Sequence, residues 1–186
     1  MGTRADAVAA TRERIARTTL RLLLAQPYEE VTLADIATGA EVSHQTVLNH
    51  YASKEGAASA AIELLRSETE GLRTSARRGD PTHAVEVLAE QYERFGDLNV
   101  RWAMSAERLG RLAALLDHAR AAHRTWLEEV FEPYLPSAPA DRRRSLNALH
   151  AATDVYTWKL LRRDLGLSRP ETTHTMTALV RGVLNT

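Results

Sequence analysis

Cysteine is absent from the 186 residues, which excludes disulfides, thiolate metal sites and cysteine nucleophiles. Glycine and proline are scarce, at 9 and 6, against 44% hydrophobic and 26% charged residues. That is a globular composition, neither collagen-like nor disordered. Net charge is also lacking, with 24 basic and 24 acidic side chains. A zero balance argues against non-specific coating of nucleic acid, although a global sum conceals local asymmetry. No long apolar run occurs. The longest aliphatic stretch is Leu22-Leu23-Leu24, far short of the ~20 residues a membrane span needs. The first ten residues lack the apolar stretch of a signal peptide. A soluble, cytoplasmic chain is expected, without a membrane partner, long enough for one large domain or two small ones.

What is present reads as helix nearly throughout. Ala, Leu, Arg and Glu are plentiful, and no period-two strand stands out. Ile15, Thr19, Leu22 and Leu23 recur at helical spacing, predicting a first helix over 8–25 with Arg12, Arg17 and Arg21 largely outside. Pro27 ends it. Three hydroxyl residues then mark helix starts: Thr32, in a Thr-x-x-Asp variant of the capping box with Asp35, then Ser43 and Ser53. The spacing predicts helices over 32–39, 43–50 and 53–77, with Leu33, Ile36, Ala37, Val42, Val47 and Tyr51 as core. Further helices are expected over 82–95, 99–109, 111–135, 140–165 and 171–184, punctuated by Gly96, Gly110 and the later prolines.

Two short helices joined by a three-residue turn, after a longer helix, describe a helix-turn-helix, or else an ordinary three-helix corner. The detail favours the former. Thr11-Arg12-x-Arg14-Ile15, Tyr28, Thr32-Leu33-x-Asp35-Ile36-Ala37, Ala40-x-Val42-Ser43, Thr46-Val47 and His50-Tyr51-x-Ser53-Lys54-Glu55 follow one another over about 45 residues. This run resembles the N-terminal DNA-binding domain of the TetR family of one-component transcriptional regulators. The resemblance implies an all-α fold, with a helix-turn-helix domain over 1–55 and an effector-binding and dimerisation domain over 56–186. It implies a double-stranded operator, a small-molecule effector and a homodimer as partners. It leaves the four departures Pro27, Glu41, Gln45 and Leu48: the family has glycine in place of the first two, often a small residue at the third, and usually a DNA-contacting tyrosine at the fourth.

The chemistry of the second short helix agrees. Its start would present Ser43, His44, Gln45 and Thr46 to base edges, with Asn49 and His50 a turn further on. Gln45 and Asn49 can hydrogen-bond adenine in bidentate fashion, and the Thr46 methyl can touch a thymine methyl. His44 can donate to guanine or to a phosphate. Lys54 and Thr32, each at a helix start, would clamp the phosphate backbone on either side of the groove. Residues 1–21 carry a net +3 and residues 22–42 a net −4, but no carboxylate occurs from Ser43 to Lys54. Specific contact through a narrow neutral surface is expected, not a broad basic face.

The rest of the chain holds all three Trp, at 102, 126 and 158. Trp102, Met104, Leu115, His118, His123, Trp126, Phe131 and Tyr134 suit an apolar ligand site, or plain core. Leu149, Thr153, Tyr156 and Leu160, with Met176, Leu179 and Val183, form apolar stripes on the last two helices. Such stripes fit an internal core; the resemblance implies a dimer bundle instead. His118 and His123 are five apart and no His-x-x-x-His spacing occurs, so a metal is not expected. Nor is another cofactor. No glycine-rich phosphate loop or Gly-x-Ser-x-Gly elbow is present, so an enzyme is not expected either. The main reading is a regulator, most simply a repressor. The other is a helical small-molecule binder or structural dimer carrying a relic head.

Overall fold

The computed structural model describes residues 3–104 and 113–185, so the ends of the helices expected over 99–109 and 111–135 lie partly outside the described residues. The described residues form helices only, with no strand. In order they are α1 (Arg4–Ala25), α2 (Leu33–Gly39), α3 (His44–Tyr51), α4 (Lys54–Arg73), α5 (Pro81–Met104), α6 (Ala113–Val130), α7 (Pro139–Thr153), α8 (Val155–Lys159) and α9 (Arg169–Leu184). A short 3-10 turn (Glu132–Tyr134) follows α6, and a π-helical turn (Leu160–Asp164) continues α8. None of the described helices is long and apolar enough to cross a membrane.

The chain divides into two compact units, Met1–Glu68 and Thr69–Thr186. The division falls later than the boundary expected at residue 55. The first turns of α4, with buried Ala57, Ala58, Ala61 and Leu65, belong to the first unit.

Local sequence explains the first unit. Thr3 and Asp6, and again Thr32 and Asp35, close reciprocal capping boxes at the starts of α1 and α2. Ser43 caps α3 by accepting from the Thr46 amide at 3.0 Å. Ile15, Leu23, Val31, Ile36 and Val47 are fully or almost fully buried between the helices. Gly56 is required by contact: a Cβ there would lie 2.0 Å from the Tyr51 carbonyl oxygen.

The second unit departs from expectation twice. Gly96 does not break the chain; α5 runs straight through it. A Cβ at 96 would stand 2.5 Å from the Trp158 ring, so the glycine lets that indole close on α5. Conversely, the single helix expected over 140–165 is interrupted at Asp154, whose backbone is extended. The Thr153 hydroxyl donates back to the Leu149 carbonyl at 2.7 Å, the Tyr92 hydroxyl donates to the Thr153 carbonyl at 2.8 Å, and Asp154 caps the Tyr156 amide. The groups released by the break are thus re-satisfied. The core of this unit joins Leu88 and Tyr92 of α5, Trp126 and Leu127 of α6, Leu149 of α7, Trp158 of α8 and Met176 of α9.

Candidate nucleic-acid interface

The geometry of α3 follows from its cap. Ser43 pins the first turn, and buried Val47 and Tyr51 fix the inward face. The outward face is then set by helical period: His44, Gln45 and Asn49 are exposed, while Thr46 and His50 are half-buried. The Gln45 amide nitrogen donates to the Asn49 side-chain oxygen at 2.9 Å, and the Ser43 and Thr46 hydroxyls lie 2.8 Å apart. Gln45 keeps its own carbonyl oxygen free and Asn49 its amide nitrogen, an acceptor and a donor held one turn apart. All six expected reading residues therefore sit on α3 or at its cap, and no carboxylate interrupts them.

The two expected phosphate clamps are already engaged. The Thr32 hydroxyl donates to Asp35 at 2.6 Å, and its oxygen accepts from the Asp35 amide. The Thr32 hydroxyl and the Thr32 amide, which also donates to this carboxylate, hold the Asp35 carboxyl below its ordinary value of 3.8. A phosphate at Thr32 would meet that anion. The Lys54 ammonium donates to the Tyr28 carbonyl at 3.0 Å and lies 4.2 Å from the centre of the Tyr28 ring. It ties the loop between α1 and α2 to the start of α4, with donors left over for a phosphate.

Sequence reasoning missed the work of the α1 arginines. Arg14 Nε donates to the Ala40 carbonyl at 2.8 Å, and Arg21 reaches the Gly39 carbonyl and the Thr18 hydroxyl. They satisfy the C-terminal carbonyls of α2 and place positive charge at its negative end. Arg12 lies 4.8 Å from the Tyr51 ring, whose hydroxyl donates to the Arg12 carbonyl at 2.8 Å. The only legible signal was the i, i+7 spacing of Arg14 and Arg21. The turn after α2 carries a cost: Glu41 stands at φ 55, in the left-handed region.

In the second unit the eight expected ligand-lining residues scatter. His123, Trp126, Phe131 and Trp102 are buried and Leu115 is half-buried, but Met104, His118 and Tyr134 are exposed. Tyr134 spends its hydroxyl on the Gly79 carbonyl. An open groove of about 400 Å³ lies elsewhere, between α5 and α9, lined by Thr82, Glu86, Arg169, His174 and Arg181 among others. The expected dimer stripe also splits. Leu149, Thr153 and Met176 have no exposed surface and belong to the unit's own core, so they cannot meet a second copy. Val183 packs partly against that core. Tyr156, Leu160 and Leu179 remain outside, 45%, 50% and 45% exposed, with Leu165 at 61%. Helical period identifies an apolar stripe but not which body covers it. No group of three or more metal-ligating side chains occurs among the described residues.

Residues 15–64 match the model of the bacterial regulatory proteins of the tetR family. No match emerges among curated proteins. Among solved structures, a transcriptional regulator from Rhodococcus sp. Rha1 superposes with a TM-score of 0.76 at 19% identity, covering 94% of this chain and 96% of that one. A TerR/AcrR-family transcriptional regulator from Aquifex aeolicus gives a TM-score of 0.64 at 16% identity, covering 93% and 97%. A structure described as a TetR-family regulator from Mesorhizobium loti gives 0.66 at 17%, covering 99% and 98%. At those identities the likeness is one of fold. Residues 15–64 thus carry the signature of the tetR family of bacterial regulatory proteins, and the whole chain shares its fold with solved transcriptional regulators.

Proposed function

We propose that the chain is a cytoplasmic, homodimeric transcriptional repressor. It reads a pseudopalindromic operator through α3 and is released by a small-molecule effector bound in the C-terminal domain. The observation that carries this is the outward face of α3: exposed, free of carboxylates and built on the segment that matches the tetR family. Gln45 and Asn49 act as base readers; Ser43, His44, Thr46 and His50 frame them; Thr32 and Lys54 flank them at two helix starts. Two copies associate through the exposed Tyr156, Leu160 and Leu179. That places two recognition helices in successive major grooves, about 34–36 Å apart. The effector acts by favouring a dimer whose heads are misaligned with those grooves.

Selection from a random duplex library tests the reading. An enriched site of two inverted half-sites supports it. Enrichment of no sequence, or of a single unrepeated half-site, contradicts it. The other reading, a helical binder with a relic head, draws on the engagement of Lys54 by Tyr28 and on Glu41 in the left-handed region. It predicts no sequence-dependent binding at any salt concentration.

A further inference from the structure

Cations of the C-terminal unit are, as a rule, neutralised. Arg162 pairs with Glu93 at 2.8 Å, Arg163 with Asp97 at 2.9 Å, Arg169 with Glu90 at 2.7 Å and Arg78 with Glu132 at 2.6 Å. Arg73, itself half-buried, breaks the rule. Its Nε donates to the Gln91 amide oxygen at 2.8 Å, and its guanidinium carbon lies 5.2 Å from the centre of the Trp126 ring. No carboxylate among the described residues pairs with it, and neither Nη group has a hydrogen-bond partner there. Partial burial lowers its proton affinity from that of a free guanidinium. A half-buried guanidinium whose fork faces no anion is open to one.

A second unmet group lies on the same indole. His123 is 5% exposed and stacks on Trp126, with ring centres 6.0 Å apart and planes 18° from parallel. Its Nε2 lies 2.9 Å from the Thr153 hydroxyl. That hydroxyl gives its one proton to the Leu149 carbonyl, so Nε2 donates and Nδ1 is left as a bare acceptor. Nδ1 is buried and has no partner. Gln91, 3% exposed, has committed only its oxygen, to Arg73. The cluster thus offers a cationic fork, an amide N–H and a lone acceptor around one aromatic surface. A carboxylate answers the fork, and a hydroxyl or N–H answers the imidazole.

We infer that Arg73, Gln91 and His123 form a receptor site for a small organic acid with an apolar body and a hydrogen-bond donor beside its carboxylate. The inference rests on the effector reading above and names the effector's chemical class. The carboxylate pairs with the Nη groups of Arg73, the neighbouring donor gives its proton to His123 Nδ1, and the body lies against the Trp126 indole.

The test needs no DNA. The full chain is titrated with benzoate, salicylate and phenylacetate, each beside its primary amide, and followed by calorimetry and thermal melting. Salicylate, which carries the adjacent hydroxyl, is expected to bind most tightly and to raise Tm by about 5 °C or more at a hundredfold excess over its Kd. The amides are expected to do nothing. Arg73→Met, which leaves the Gln91 oxygen without its donor, is expected to melt a few degrees lower than the parent without ligand and to lose carboxylate affinity about tenfold or more. Arg73→Lys keeps the charge without the fork and is expected to fall between the two. Equal response to acids and amides, no response to any acid, or undiminished affinity in both variants would overturn the inference. So would collapse of Arg73→Met together with full affinity in Arg73→Lys. Failure of operator selection with acid binding intact would overturn the regulator reading alone.

Discussion

The two units spend their charge differently. In the N-terminal unit, three cations around the helical corner go to backbone carbonyls, Arg14 to Ala40, Arg21 to Gly39 and Lys54 to Tyr28, while Arg17 and Arg66 pair with Glu13 and Glu63 on their own helices. In the C-terminal unit cations go to carboxylates on other helices, as in Arg162–Glu93 and Arg163–Asp97. Carbonyl capping fixes a small helical corner without adding anions, and it leaves α3 with a neutral polar face. Carboxylate pairing locks α5 to the segment after α8, and Arg73, whose Nε goes to Gln91 and not to a carboxylate, stands out against it. The first arrangement suits a reader of base edges; the second suits a body that responds to a ligand.

Glycine contacts offer the strongest way to break the comparison, because every Trp lies in the C-terminal unit. Gly56→Ala drives a methyl into the Tyr51 carbonyl and is expected to cost about 3 kcal/mol or more, in the head only. DNA binding should vanish while the Trp-fluorescence midpoint stays in place. Gly96→Ala presses on the Trp158 ring and is expected to cost about 2–3 kcal/mol, shifting the fluorescence midpoint directly. A common shift in both variants would mean that the two units melt as one.

Acid should separate them next. Burial, with Arg73 and His150 nearby, holds His123 well below its ordinary value of 6.5. The unfolded chain therefore takes up that proton first. Stability should be level above pH 6.5 and fall below it, by at most about 1.4 kcal/mol per pH unit. His123→Leu should flatten this limb in denaturant titrations followed by Trp fluorescence. An unchanged limb would assign the acid sensitivity to another group.

Smaller effects belong to the head. Lys54→Met removes the bond to Tyr28 and the contact with its ring, and is expected to cost about 1–2 kcal/mol by circular dichroism of the head's transition. Glu41→Gly is expected to stabilise by about 1 kcal/mol, because glycine occupies φ 55 without strain. A destabilised Glu41→Gly would show that the Glu41 side chain repays its backbone cost.

Legibility followed the range of the interactions. Thr32-x-x-Asp35 and Ser43 were readable because a cap and its partner lie three residues apart. The helix-turn-helix landmarks were readable through their resemblance to the TetR family over about 45 residues. The continuity of α5 through Gly96 and the break after Thr153 were not legible because they depend on Trp158 and Tyr92, far along the chain. The bond from Lys54 to the Tyr28 carbonyl was not legible because the two residues are distant in sequence. The dimer stripe mixed core residues such as Leu149 with surface residues such as Leu160, since periodicity alone does not say what covers a helix face.

The central claim is that a neutral α3 reads sequence while Lys54 contributes position. The most direct measurement is equilibrium binding of Gln45→Ala, Asn49→Ala and Lys54→Ala to the selected operator and its single-base variants, over a salt series. The first two should relax preference at particular bases, by about 1–3 kcal/mol, with the salt slope unchanged. Lys54→Ala should weaken every sequence alike and reduce the slope by about 1. If all three variants weaken every sequence equally, α3 does not read bases and the account is wrong.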